Sequence, residues 1–406
     1  MRINNGLGGT FSSLENPNYR WYWISLLASF AAMQMQVVVR GWLVYDMTDS
    51  AIALGWVSAG FGIPILLFSL YGGAIVDRMD KRKLLIITQA LSAVTTLVIA
   101  VLISIGVIVL WHLVAASVVN GLILAFTLPG RQAIIPQLVE RHQIMNAVAL
   151  GSGAMNVNRV VAPALGGVLV GVIGIHGVYY LIVICYLASA ALLLLIPPME
   201  VPYKNPNMTM LNSVGEGLRY VRQSGILMAL LALAFVPVVF GMPYQMLMPI
   251  FAVDILGVGA SGLGYLMGAT GLGAVAGSLL VASLSDFNHK GWLLLGTCTL
   301  FGTFLILFTS SDYYYLSLFF LLGVGASSSS YMAVNNTLLQ TNVEDEMRGR
   351  VMSIYSMTIG LFPLGVLPIA AIAESLSAPL AIGIGGVILV LFTIAMTMFT
   401  PILRRL

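Results

Sequence analysis

Uninterrupted apolar runs of helix length recur from Trp21 to Thr400, and this feature constrains the fold more than any other. About 20 such residues cross the hydrocarbon of a bilayer as a helix, and lipid offers no partner to an unpaired peptide group. Twelve spans fit: 20–45, 52–76, 84–105, 107–128, 146–173 and 175–196, then 225–251, 260–285, 291–309, 313–334, 351–373 and 378–400. The runs are apolar on all sides, whereas a lipid-facing strand alternates over about ten residues, so helices are expected and a barrel is not. Composition agrees, since 59% of the 406 residues are apolar and 8% are charged, about a third of the charge of a soluble domain. A soluble enzyme and a disordered chain are excluded. The first run is too long for a signal-peptide core and lacks a small-residue cleavage site, so it is expected to remain as a span.

Orientation follows from the basic residues, because Lys and Arg near span ends stay on the cytoplasmic side. With these spans, every Lys and Arg except Arg40 and Arg159 falls on one side, from Arg2 and Arg20 through the 78–83 cluster, Arg131 and Arg141, to Arg404 and Arg405. Both termini are therefore expected in the cytoplasm of a prokaryotic cell, with the chain in its plasma membrane. The net charge of +3 forms no basic stripe, so no nucleic-acid partner is expected. Cys185 and Cys298 fall inside spans and read as packing residues.

Residues 197–224 break the pattern with four prolines and resume as a short amphipathic piece around 210–222. They divide the chain into an N-terminal six-helix bundle, 1–196, a cytoplasmic linker, 197–224, and a C-terminal six-helix bundle, 225–406. The halves echo each other: Pro163 in span five matches Pro363 in span eleven, and the Gly73–Asp77 step recurs weakly as Ala282–Asp286. A duplication of about 200 residues is the reading.

The string from Gly72 to Lys83, Gly-Gly-Ala-Ile-Val-Asp-Arg-Met-Asp-Lys-Arg-Lys, joins spans two and three. In it the chain resembles the major facilitator superfamily, whose signature places an Asp four residues after a Gly, followed by Arg and a basic cluster. Asp80 and Lys81 replace the usual Gly-Arg pair. Gly73 would let span two approach a neighbour closely, and Asp77 at the membrane edge would accept hydrogen bonds from a facing helix N-terminus, with Arg78 and Arg82 beside it, as a conformational latch. Span five carries Asn158-Arg159-Val160-Val161-Ala162-Pro163-Ala164-Leu165-Gly166-Gly167, similar to the superfamily's exporter signature with Ala162 in place of its first Gly. Pro163, Gly166 and Gly167 are expected to bend and closely pack that span. The segments 41–50, 129–136 and 348–353 are similar to the branch that contains the enterobactin exporter. The fourth-span arginine frequent in proton-coupled drug exporters is absent, with Ser117, Asn120 and Gly121 in its region.

Two arginines inside spans carry the chemistry. Each costs roughly 3 kcal/mol at the bilayer centre on insertion scales, and such residues usually face a cavity. Arg40 shares a helix face with Gln36, and Arg159 with Asn156 and Pro163, while no acidic residue lies deep in any span. Asn120, Tyr244, Gln245, Asn335 and Asn336 are further candidates for a polar lining. Pro237, Pro243 and Pro249 are expected to break span seven beside Tyr244 and Gln245. The four His are scattered, and no phosphate loop or nucleophile constellation occurs, so neither a metal, a cofactor nor an enzyme is expected.

The expectation is an all-α membrane protein, twelve transmembrane helices in two pseudo-symmetric six-helix bundles of the major facilitator fold. It would act as a monomeric, proton-coupled exporter of a small amphipathic organic anion or zwitterion by alternating access. A lipid or lysolipid flippase of the same fold and a solute uptake permease are the alternatives.

Overall fold

A computed structural model describes residues 11–199, 210–284, 287 and 289–405; side chains at 69–75, 77, 78, 210–214, 217, 345, 359 and 405 lie outside the description. Among the described residues there is no strand. The first helices are α1 (Pro17–Thr48), α2 (Ala51–Arg78), α3 (Lys81–Ser104) and α4 (Leu110–Leu138). Ile144–Leu194 then runs on through one break at Gly174, φ 72°, a backbone conformation that suits a residue without Cβ. The break separates α5 (144–173) from α6 (175–194). After a linker helix, Met210–Gln223, come α7 (Gly225–Ile255), α8 (Gly259–Ser283), α9 (Lys290–Thr309), α10 (Tyr314–Thr341), α11 (Asp345–Gly360 continued by Phe362–Ser375) and α12 (Ala378–Phe399). Among the described residues the helices follow the twelve-span plan.

Two details depart from the sequence reading. Pro129-Gly130 reads as the end of span four, yet α4 continues through Pro129 and Pro136 to Leu138. Membrane helices tolerate proline where neighbours re-satisfy the freed backbone. Arg131 thereby moves from the expected loop into the helix, where it is 9% exposed. The Pro163 and Pro363 equivalence is also incomplete: Pro163 lies within continuous helix, whereas Pro363 opens the second segment of α11 after a break at Leu361. In α7, by contrast, the prolines do interrupt the span, with wide π-type turns at Pro237–Gly241 and Phe251–Ile255.

The chain packs as two units. One holds Met1–Leu43 with Pro64–Asn205, the other Val44–Ile63 with Pro206–Leu406. In the first, Tyr19, Tyr22, Phe30, Leu85, Ile134 and Leu193 belong to one buried core. Its helix ends are closed by polar groups. Asp80 caps α3 by accepting from the Arg82 amide at 2.9 Å and the Lys83 amide at 3.4 Å. Asp80, the departure from the superfamily pattern, thus has a local structural use. Arg82 donates to the Leu193 and Leu194 carbonyls at 3.0 and 2.9 Å, placing a cation at the C-terminus of α6.

In the second unit, α8 and α10 meet backbone to backbone. A Cβ on Gly273, Gly277 or Gly325 would stand 2.0 Å from the Leu322 carbonyl oxygen, 2.1 Å from that of Ala326 and 1.9 Å from that of Thr270. Lipid supplies no hydrophobic drive between helices, so close van der Waals approach at small residues holds them together. The 44–63 hairpin uses the same device: a Cβ on Gly62 would lie 2.5 Å from Pro363, and one on Gly55 2.7 Å from Ala370.

Candidate functional site

The face of α1 that carries Ser29, Gln36 and Arg40 supplies a polar column inside the first unit. Eleven residues of helix separate Ser29 from Arg40, about 16 Å at 1.5 Å per residue. At one end, Arg131 of α4 donates through Nη2 to Ser29 Oγ at 2.8 Å and lies over the Phe30 ring at 4.5 Å. Its Nη1 is buried with no partner. At the other end, Arg40 donates through Nη1 to Ser117 Oγ at 3.1 Å. Tyr186 of α6 stands within electrostatic reach of both guanidiniums, and Tyr179 within reach of Arg40. Between them the Tyr186 hydroxyl donates to Gln36 Oε1 at 3.2 Å, and Gln36 Nε2 donates to Thr96 Oγ1 at 3.2 Å. Each guanidinium therefore donates to a hydroxyl, Arg131 to Ser29 and Arg40 to Ser117, and Arg131 also has an aromatic ring beneath it.

Gln36 is 8% exposed, with both ends of its carboxamide engaged in this column. Asn120 is buried and donates back to the Ala116 carbonyl of its own helix at 2.9 Å. Arg159 and Asn156 are half-buried on α5. Arg159 stands near the middle of that helix and makes no hydrogen bond or ion pair with any other described residue. Pro163, Gly166 and Gly167 are buried on the same helix, and a Cβ on Gly166 would lie 3.3 Å from the Met35 side chain and 3.4 Å from its backbone.

The remaining candidates belong to the second unit. Tyr244 is 2% exposed and Gln245 half-buried, side by side after the first interruption of α7. Asn335 is fully buried, donates to the Leu230 carbonyl at 3.2 Å and keeps Oδ1 without a partner. Asn336 is half-buried and accepts from Gln340 Nε2 at 2.5 Å. Of the expected latch residues, Gly73, Asp77 and Arg78 lie on the last turns of α2 with their side chains outside the description, while Arg82 is the α6 cap described above.

Sequence reasoning missed Arg131, Tyr179, Tyr186 and Thr96. A signal existed for the tyrosines, since a phenol in the middle of an apolar span needs a partner. For Arg131 the signal was hidden by the two prolines beside it.

An all-helical chain of twelve spans with guanidiniums inside them has the architecture of a polytopic carrier. The chain belongs to the transmembrane secretion effector family of the major facilitator superfamily, whose model matches residues 8–403. Among its relatives, the staphyloferrin A transporter of Staphylococcus aureus is 26% identical and covers 95% of this chain and 96% of its own length. Macrolide efflux protein A of Streptococcus pyogenes is 22% identical, covering 93% and 94%, and the enterobactin exporter EntS of Shigella flexneri is 25% identical, covering 84% and 81%. Among solved structures the nucleoside transporter NupG has a TM-score of 0.74 at 13% identity, covering 94% of this chain and 99% of its own. A D-xylose–proton symporter has a TM-score of 0.73 at 14% identity, covering 96% and 99%. The protein is accordingly a multi-pass membrane secondary transporter and not an enzyme.

Proposed function

We propose that the protein exports a small amphipathic organic anion or zwitterion by alternating access, driven by the proton gradient, with both termini in the cytoplasm. Arg159 carries this reading. A half-buried guanidinium near the middle of a membrane helix, bonded to no other described residue, suits an anionic cargo and the water around it far better than lipid. Arg40, held by Ser117 and flanked by tyrosines, supports the same charge preference in the first unit. The efflux and siderophore names of the relatives support both the direction and a cargo of drug or siderophore size.

The experiment uses everted vesicles containing the protein and matched anionic, zwitterionic and cationic dyes. Anion accumulation that depends on the protein and collapses with a protonophore is expected. Accumulation unaffected by the protonophore removes proton drive from the proposal, and protein-dependent uptake of cationic dyes alone removes its cargo class. Labelled lipids added to the same vesicles separate flipping from solute export.

A further inference from the structure

Within the second unit, two carboxylates accept from neutral donors of the 44–63 hairpin. α1 ends at Thr48, Asp49 turns the chain with φ 45°, and α2 begins at Ala51. Tyr45, in the last turn of α1, donates its hydroxyl to Asp254 Oδ2 in the second π-type turn of α7. Glu374, at the end of α11, receives the other side of the same hairpin. Its Oε2 accepts from the Ala51 amide at 2.6 Å and the Ile52 amide at 3.3 Å, and both its oxygens accept from Ser50 Oγ, at 3.1 and 3.2 Å. Partners 209 and 324 residues apart in sequence are joined across one short hairpin.

Both carboxylates are solvent-exposed, whereas Tyr45 and Ala51 are 5% and 3% exposed. Asp49 and Glu374 lie within electrostatic reach of Tyr45 beside Asp254. The other titratable groups on the packed elements are Asp46 on the hairpin, Tyr244 on α7 and Tyr265 on α8. No Lys, Arg or His occurs in 44–63, 244–283 or 361–399. An ionised carboxylate accepts several charge-assisted hydrogen bonds, while its protonated form keeps less acceptor capacity and loses the charge that strengthened them.

We infer that Asp254 and Glu374 form a pH-sensitive latch that holds the 44–63 hairpin on the second unit while ionised and releases it when protonated from the adjacent aqueous phase. The two carboxylates stay at one face, so the latch senses pH there and does not carry the coupling proton across. Release of a hairpin shared by α1 and α2 is a population shift between two arrangements of those helices.

The test needs no cargo and no gradient, so it stands or falls independently of the export proposal. In a background without Cys185 and Cys298, spin labels are placed at Ile52→Cys and Leu380→Cys, both exposed positions, with the full chain in nanodiscs. Pulsed dipolar distances are compared at neutral pH and through a stepwise acidification. A longer-distance population that grows several-fold on acidification is expected. Asp254→Asn combined with Glu374→Gln should show that population already at neutral pH and lose its pH dependence, and Tyr45→Phe should raise it in part. A distance distribution in the doubly labelled parent that is unchanged by acid overturns the inference, as does an acid response that survives in the Asp254→Asn, Glu374→Gln protein. The parental titration requires neither carboxylate variant to fold.

Discussion

Arg131 and Phe30 form a cation–π pair, the guanidinium carbon 4.5 Å from the ring centroid, and no acidic side chain among the described residues pairs with Arg131. The ring and Ser29 meet part of what the cation lost on leaving water, and Nη1 meets none of it. Removing one partner of such a pair differs from removing the charge itself. Arg131→Met should leave thermal stability in detergent nearly unchanged or raise it. Phe30→Ala, which opens a cavity under a remaining guanidinium, should cost about 3 kcal/mol. A large loss of melting temperature in Arg131→Met would show that the guanidinium has a structural partner stronger than this geometry provides.

The Gln36–Tyr186 hydrogen bond gives a coupling that can be measured directly. Gln36→Leu strands the buried Tyr186 hydroxyl, and Tyr186→Phe strands Gln36 Oε1, each at about 1–2 kcal/mol. In the double variant neither orphan remains, so a thermal-denaturation double-mutant cycle should return a coupling of about 1 kcal/mol. Strict additivity rules this contact out as an energetic link.

Arg82 predicts a difference between charge and geometry. Its two bonds to the last carbonyls of α6 need the planar fork of a guanidinium, so Arg82→Lys should recover only part of the stability lost in Arg82→Ala, about 1–2 kcal/mol. Lys83, an exposed neighbour, is the control, and Lys83→Ala should change melting temperature little. Equal effects at the two positions would remove the capping role.

Glycine substitutions separate contact from open space in the second unit. Gly277→Val drives atoms into the Ala326 backbone and should abolish a monodisperse peak in size-exclusion chromatography, whereas nothing lies within 4 Å of a Cβ on Gly296, so Gly296→Ala should behave as the parent. A well-folded Gly277→Val protein contradicts the close approach of α8 and α10.

Much of the architecture is written in the apolar runs, because lipid forces helices of a minimum length, and the described residues show twelve of them. The Gly174 break and the proline interruptions of α7 follow from conformational limits of single residues, of which the α7 prolines were readable in advance. The end of α4 was misread, since proline weighs more heavily in water than in a membrane helix whose neighbours restore the lost bonds. Helical periodicity placed Gln36 and Arg40 on one face but carried no information on what that face meets. The answer, Thr96, Ser117 and Tyr186 from three other helices, depends on how those helices pack. The same limit applies to Asp254 and Glu374, whose donors come from a hairpin far away in sequence.

Whether Arg159 recognises the negative charge of an exported solute is read from charge selectivity in vesicles. Initial rates for matched anionic, zwitterionic and cationic dyes would be compared among the parent, Arg159→Lys and Arg159→Gln, each shown to be inserted and monodisperse. Loss of an interaction worth about 1.4 kcal/mol corresponds to a tenfold effect, so Arg159→Gln should slow the anion about tenfold or more while sparing the cation, with Arg159→Lys between. Parental rates for every anion in Arg159→Gln would show that Arg159 does not recognise the cargo's charge.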